Sequence, residues 1–185
     1  SNLSSSVRNQ LEGESKFVRA FCYFYLVNLW GDVPLILTTD YRTNRAIGRT
    51  SSEMVYDQIL LDLLEAESLL GEDYAAGGGE RIRPNKWAAK ALLARVYLFL
   101  EDWVRADQKA SEVIEQADLY SLPTNLNEVF LKNSTEAIWQ ILAIAPVFDT
   151  WEGQVFLPTA SATSVTNYPL TNHLISEFEM GDLRL

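Results

Sequence analysis

The sequence has very little of the chemistry that forms disulfides or binds metals. Its 185 residues include one cysteine and one histidine, which excludes an internal disulfide and a His-rich metal cluster. Basic residues are fewer than acidic ones. The chain has 15 Lys and Arg and 25 Asp and Glu, which gives a net charge of −10. The phosphate backbone would repel such a chain, so a nucleic-acid partner is not expected.

Long apolar runs are missing as well. The longest, Ala20–Val27, is far shorter than the roughly 20 residues that a membrane-spanning helix requires. Ser1–Ser6 has neither the basic and apolar regions of a signal peptide nor a cysteine that could accept a lipid. The sequence therefore predicts a soluble portion of a longer protein.

Aromatic side chains are abundant, with five Trp, eight Tyr and eight Phe. Rings fill protein cores, and they also serve as stacking platforms for ligands. Four tryptophans lie in or beside predicted regular elements, and we expect them in the core: Trp30, Trp87, Trp103 and Trp139. We also expect a buried thiol at Cys22 and charge-paired head groups at Arg19 and Arg95.

Apolar periodicity predicts a mainly α-helical fold with a minor β or irregular element near the C-terminus. The predicted helices span 14–30, 51–70, 86–100 and 103–116, and a last one starts near Thr171. The second of these has Thr50 and Glu53 at capping-box spacing. Its apolar stripe consists of Val55, Ile59, Leu63, Ala66 and Leu70. Glu136–Ala145 is predicted to be a strand, and 146–172 a polar loop.

The third and fourth predicted helices match the spacing of a tetratricopeptide repeat. The matching positions are Ala94, Tyr97, Trp103, Ala106, Ala110 and Val113. Small residues let two antiparallel helices approach closely, and the rings fill the space at the turn. An ordinary helical hairpin with alanines at its contact is the alternative. Because one repeat cannot bury both of its faces, the first two helices are expected to form a degenerate second unit.

Four segments together resemble the SusD/RagB family, the surface-exposed nutrient-binding lipoproteins of Bacteroidetes outer membranes. Glu14–Leu26 with Trp30–Leu35 is similar to the family's E-x-x-F-x-R-A-x-x-Y-F helix and G-D-V-P turn. Asn85–Leu98 resembles its A-x-K-A-L-L-A-R-V-Y-L helix. Glu136–Trp139 resembles its E-x-I-W strand, and Phe178–Arg184 its F-E-x-x-D-x-R segment.

The resemblance implies a non-catalytic protein that captures oligosaccharides, or in some members peptides, for a TonB-dependent transporter of the SusC type. It also implies a location on the outer-membrane surface, through a lipid anchor that is missing from this chain. We expect one SusD/RagB-like region over 1–185, with a helical-repeat body at 14–118 and a strand, aromatic loop and last helix at 119–185. No cofactor is implied. Some family members bind Ca²⁺, but no acidic loop here has convincing ligand spacing.

Sugar capture needs flat rings beside amides and carboxylates. The best local match is the loop that contains Phe148, Asp149, Trp151, Glu152, Asn167 and Tyr168. Those rings could equally anchor a long loop to the body. Tyr41, Asn44 and Tyr74 are weaker candidates.

Two other functions compete with capture. Carboxylate pairs could hydrolyse a glycoside, and the nominal pairs are Asp149 with Glu152 and Glu177 with Glu179. The second pair, at i and i+2 on a helix, points to opposite sides. His173 and Ser176 have dyad spacing but no nucleophile elbow around them. Helical repeats also serve as protein–protein scaffolds, and such a scaffold would not need the rings at 146–172.

Overall fold

Side-chain caps set where the helices of this chain begin. The structure is a computed structural model that describes residues 3–142 and 171–182. Its helices are α1 (Ser5–Trp30), α2 (Tyr41–Asn44), α3 (Ser52–Leu69), α4 (Lys86–Phe99), α5 (Trp103–Ile114) and α6 (Asn172–Ser176). Their capping side chains, each accepting a backbone N–H of the first turn, are Ser4, Asp40, Ser51, Asn85, Asp102 and Thr171. Two 3₁₀ turns, Ala75–Gly77 and Leu126–Glu128, lie between them.

The four long helices form a stack in chain order. α1 packs on α3, α3 on α4, and α4 on α5. The predicted stripe of α3 is buried along its whole length, from Val55 to Leu70. Tyr97, Ala106 and Val113 of the predicted repeat are buried between α4 and α5. The helical body therefore consists of two antiparallel helical pairs that share one apolar core.

One partly buried ion pair joins α1 to α3. The guanidinium of Arg19 donates to both carboxylate oxygens of Asp62, at 2.7 and 2.6 Å, and Asp62 is 1% exposed. Gln58 donates a further bond to the same carboxylate at 3.0 Å. This bidentate geometry raises the pKa of Arg19 and confirms the expected charge-paired head group.

A second charged group joins α3, α4 and α5. Lys109 donates to Glu67 at 2.8 Å, and Lys90 lies 2.6 Å from Glu112. Two longer contacts, from Lys90 to Glu67 at 3.7 Å and from Lys109 to Glu112 at 3.4 Å, close the ring of four charges. The hydrogen bond from Lys90 lowers the pKa of Glu112.

Several expectations about α1 were wrong. The helix begins at Ser5, well before residue 14, because Ser4 caps it. Its apolar second half is not buried on most sides, since Cys22, Tyr25 and Leu26 are exposed. The Cys22 thiol is therefore not in the core. The apolar surface of α1 is wider than the stripe that α3 and α4 cover. None of the helices described here combines the length and apolarity that a bilayer crossing needs.

Helix termini explain the other errors in burial. Trp30 ends α1 and Trp103 begins α5, and both are about three-fifths exposed at 61% and 60%. Trp87 is buried as expected, and Trp139 is half-buried. Arg95 is exposed, and its recorded partner is the Tyr25 hydroxyl at 3.4 Å rather than a carboxylate.

The predicted strand and one predicted cap were also wrong. Residues 136–142 form no strand, and 143–145 lie outside the described residues. The carbonyls of Ala137 and Ile138 accept bonds from side chains instead of from a neighbouring strand. Ser51 rather than Thr50 caps α3, because Thr50 forms an isolated antiparallel bridge with Val33.

Removal of the Arg19 guanidinium should destabilise the whole stack. Arg19→Met leaves the Asp62 carboxylate buried without its cation, so we expect the free energy of unfolding to fall by about 3 kcal/mol. Urea unfolding followed by helical circular dichroism measures it. The control, Arg105→Met, breaks an exposed pair with Asp102 and should have a much smaller effect. Equal losses in both variants would contradict this role for Asp62.

The Glu112 carboxylate should make stability depend on pH in the acid range. Its pKa is lowered from the ordinary 4.5 in the folded state, so its stabilising contribution is present above that value. The contribution is lost as the pH falls through the folded pKa. Glu112→Gln should cost about 1 kcal/mol near pH 7 and should reduce the further loss below pH 4.5. Unfolding at several pH values, with the exposed Glu115→Gln as control, checks this; parallel pH curves for all three proteins would refute it.

Candidate ligand-binding cleft

An aromatic cleft of about 370 Å³ lies between α1, α4 and the segment that follows residue 135. The helical wall consists of Phe17, Phe21, Ala88, Ala91, Leu92 and Arg95. The opposite wall consists of Glu136, Ile138, Trp139 and Ile141. We call this concavity the aromatic cleft.

Helical periodicity explains the composition of the first wall. Phe17 and Phe21 lie one turn apart on α1, so both rings project from the same face. On α4, Ala88, Ala91 and Arg95 recur at steps of three and four and share a second face. The two alanines leave the space that the cleft occupies, because a larger side chain at either position would fill it.

Trp139 is held in place by two rings and a hydrogen bond. Its ring meets Phe17 edge-to-face at a centroid distance of 5.1 Å and Phe21 at 5.3 Å. Its indole N–H donates to the carbonyl of Ile82 at 3.2 Å. Each contact restricts the ring, so the opposite wall presents a half-buried indole in a fixed orientation.

Polar groups lie at the edge of this apolar surface. Arg95 and Glu136 are exposed and line the cleft from opposite walls. The Arg95 guanidinium donates to the Tyr25 hydroxyl at 3.4 Å, and the Tyr25 ring continues the aromatic row at 5.0 Å from Phe21. The cleft thus offers an apolar floor with both a cation and a carboxylate at its rim. This combination suits a ligand with one apolar face and several hydroxyl groups.

A buried cluster fastens the second wall to the helical body. Arg81 is 8% exposed, and it donates to the carbonyls of Ala137 at 2.5 Å and Leu119 at 2.8 Å. The Tyr74 hydroxyl donates to the carbonyl of Ile138 at 2.8 Å. Burial raises the pKa of Tyr74 above its ordinary value, so this hydroxyl keeps the proton that it donates.

The site residues predicted from sequence lie in different places, and some lie outside the described residues. The loop candidates all lie outside the described residues, namely Phe148, Asp149, Trp151, Glu152, Asn167 and Tyr168. The Tyr41 ring is exposed and lies beneath the Arg42 guanidinium, at 5.8 Å. The Asn44 amide donates to the carbonyl of Thr38 at 2.8 Å. Tyr74 belongs to the buried cluster and does not line the aromatic cleft.

The structure describes some of the residues in the enzyme alternatives. Helix α6 ends at Ser176, so the prediction that Glu177 and Glu179 lie on a helix was wrong. The Ser176 hydroxyl donates to the backbone carbonyl of His173 at 2.7 Å, so this pair does not form a hydroxyl–imidazole dyad. The imidazole lies 3.4 Å from the Glu177 carboxylate instead. Asp149 and Glu152 lie outside the described ranges. Within those ranges no three His, Cys, Asp or Glu side chains come together as metal ligands.

Comparison with known proteins places the chain in a family. A family model described as starch-binding and associating with the outer membrane, SusD-like, matches residues 1–98, which is more than half of the chain. SusD-like protein P25 of Formosa agariphila is 32% identical over 143 residues, or 75% of this chain. The chain belongs to the SusD-like family. The resemblance drawn from its four motifs is confirmed.

Two solved structures of similar sequence share the fold. A laminarin-binding SusD-like protein is 29% identical with a TM-score of 0.63, over 69% of this chain and 29% of that protein. A protein solved with a xylogluco-oligosaccharide is 28% identical with a TM-score of 0.67, over 77% of this chain and 31% of that protein. These matches confirm the helical, tetratricopeptide-like fold. The chain spans 27% of protein P25 and about 30% of the two solved proteins.

Proposed function

We propose that this SusD-like protein captures an oligosaccharide at the bacterial outer membrane without chemically altering it. The family description names starch binding and the outer membrane. Of two similar solved proteins, one is described as laminarin-binding and the other was solved with a xylogluco-oligosaccharide. The aromatic cleft is the observation in this chain that supports the proposal, because it combines rings with a polar rim in one concavity.

The chemistry of sugars matches this arrangement. One face of a pyranose ring is covered with C–H groups, which pack on aromatic and aliphatic side chains, while the hydroxyls point outwards at the ring edge. Phe21 and Trp139 supply the apolar surface. Arg95 can donate to hydroxyl oxygens and Glu136 can accept from hydroxyl protons, so both kinds of hydrogen bond are available.

The aromatic loop extends this proposal along the chain. The second wall of the cleft ends near Ile141, and the loop rings begin soon afterwards at Phe148. We propose that Trp151, Tyr168 and the polar side chains of that loop add contacts to further sugar units. Delivery of the captured sugar to a SusC-type transporter, and a lipid anchor outside this sequence, complete the proposal.

A protein-docking role is the second candidate, and one surface favours it. The groove between α4 and α5 has Ala94, Ala106 and Ala110 in its lining and Trp103 beside them. Trp103 is 60% exposed, and its neighbour Val104 is 80% exposed. An apolar helical groove of this kind receives an amphipathic helix in many complexes. Peptide capture and scaffolding therefore remain alternatives to sugar capture.

Filling the aromatic cleft should weaken sugar binding without unfolding the stack. Ala91 is half-buried and lines the cleft, so the ring of Ala91→Phe should occupy the space that the sugar needs. Calorimetric titration with xyloglucan and laminarin oligosaccharides should show an affinity at least about tenfold weaker than that of the unmodified chain, equivalent to about 1.4 kcal/mol.

The matched control is Ala110→Phe, an equally large change at a half-buried alanine in the groove between α4 and α5. We expect it to bind as the unmodified chain does, and helical circular dichroism should be the same for all three proteins. Binding by Ala91→Phe at full affinity would exclude the aromatic cleft as the sugar site. If Ala110→Phe alone weakened sugar binding, the sugar site would be the groove between α4 and α5.

A further inference from the structure

We propose that Arg81 is the positioning residue of the aromatic cleft, although it does not line the cleft itself. The segment 133–140, here called the strap, supplies most of the second wall of the cleft. The strap has no helix or strand of its own beyond turns, so contacts with the helical body must hold its shape. This inference rests on the proposed function for its effect on binding, but not for its structural part.

The side chain of Arg81 reaches three separate parts of the chain at once. One terminal nitrogen donates to the Ala137 carbonyl in the strap at 2.5 Å and to the Tyr74 hydroxyl at 3.2 Å. The other donates to the Leu119 carbonyl at 2.8 Å. A planar guanidinium presents five N–H donors in a fixed fork, which suits such divergent acceptors better than the single ammonium nitrogen of lysine.

Two tyrosine rings enclose the same guanidinium. Its central carbon lies 4.8 Å from the centroid of the Tyr74 ring and 5.2 Å from that of Tyr120. The two hydroxyls are 2.6 Å apart. Since Tyr74 gives its one proton to the Ile138 carbonyl, Tyr120 must donate to Tyr74. The cluster is therefore internally hydrogen-bonded and oriented towards the strap.

The buried positive charge of Arg81 is stabilised in part by the strap. The guanidinium contacts carbonyls, a hydroxyl and ring faces, all of them neutral. A buried cation is tolerated only while such groups replace its water. With the strap in place Arg81 is 8% exposed, and if the strap moved away the guanidinium would lose the Ala137 carbonyl. Displacement of the strap therefore carries an electrostatic penalty.

Backbone contacts around Arg81 extend this attachment along the strap. The amide of Gln140 donates to the Arg81 carbonyl at 2.8 Å, and the Arg81 amide donates to the Asn133 side chain at 3.2 Å. Trp139 donates to the carbonyl of the next residue, Ile82, at 3.2 Å. Four consecutive strap residues, 137–140, are thus bonded to Tyr74, Arg81 or Ile82.

The helical core does not include Arg81. The residue lies in the connection between α3 and α4, and the buried apolar cluster is formed by other residues. Loss of its side chain should release the strap and leave the helices folded. Because Ile138 and Trp139 belong to the strap, a mobile strap would present the ligand with a wall that has to be ordered on binding. Such ordering lowers affinity even when every contact residue is intact.

The test compares Arg81→Met, Arg81→Lys and the unmodified chain by hydrogen exchange. The amides of Ala137 and Gln140, which donate within the strap and to Arg81, should lose about tenfold or more of their protection in Arg81→Met. Amides of α1, α3 and α4 should keep theirs. Arg81→Lys retains the charge but not the forked geometry, so its strap protection should lie between that of Arg81→Met and that of the unmodified chain. If Arg81→Met fails to fold, the strap protection of Arg81→Lys tests the proposal.

The matched control is Arg83→Met, two residues further along. Arg83 is bonded to the Ala76 carbonyl and to Glu14 and has no recorded bond to the strap, so its loss should leave strap exchange unchanged. Unchanged strap protection in Arg81→Met, or equal loss in Arg83→Met, would overturn the proposal.

Titration with xyloglucan and laminarin oligosaccharides supplies the second readout. Affinity should fall at least about tenfold in Arg81→Met and recover in part in Arg81→Lys, with Arg83→Met unchanged. Loss of strap protection with full affinity would overturn the positioning role. If the unmodified chain binds neither sugar, the proposed function fails, and hydrogen exchange alone decides whether Arg81 holds the strap.

Discussion

Small side chains bring α1, α3 and α4 into close contact. Ala20, Ala66 and Ala89, one each on α1, α3 and α4, have no exposed surface. Side chains of this size let helix axes approach more closely than Leu or Phe would allow. The bidentate bonds from Arg19 to Asp62 cross the contact between α1 and α3, and the salt bridges of Lys90 and Lys109 connect α3 and α4 to α5. The first wall of the aromatic cleft follows from the same packing, because α1 and α4 jointly form it.

Local chemistry explains why most of the helical body could be predicted from sequence. Several features of the helices depend only on residues that are close in sequence. They are the apolar stripe from Val55 to Leu70, the caps at Asn85 and Asp102, and the glycine after Trp30. Gly31 adopts φ 68°, and its amide bonds to the Val27 carbonyl as expected of a helix end. Exposure was harder to predict, because periodicity shows which face is apolar but not whether a partner covers it. Cys22 and Trp103 illustrate that limit.

The cleft could not be predicted because its second wall is set by contacts distant in sequence. Arg81 bonds to residues 38 and 56 positions later in the chain. Nothing in the local pattern around Glu136 and Trp139 distinguishes a strand from a segment whose carbonyls are already taken by side chains. The β-prone apolar residues between Glu136 and Ala145 therefore predict a strand when the sequence is taken alone. The one available signal was the pair of alanines at 88 and 91, whose small side chains leave room beside Phe17 and Phe21.

In the proposed function, an oligosaccharide contacts the indole of Trp139. The most direct measurement is the set of tryptophan indole N–H resonances, assigned by substitution and followed by NMR during titration with a xyloglucan oligosaccharide. We expect saturable shifts at Trp139 and none at Trp30 or Trp103, which lie exposed at helix ends. A saturable shift that leaves the Trp139 resonance in place, or no shift of any indole, would contradict it.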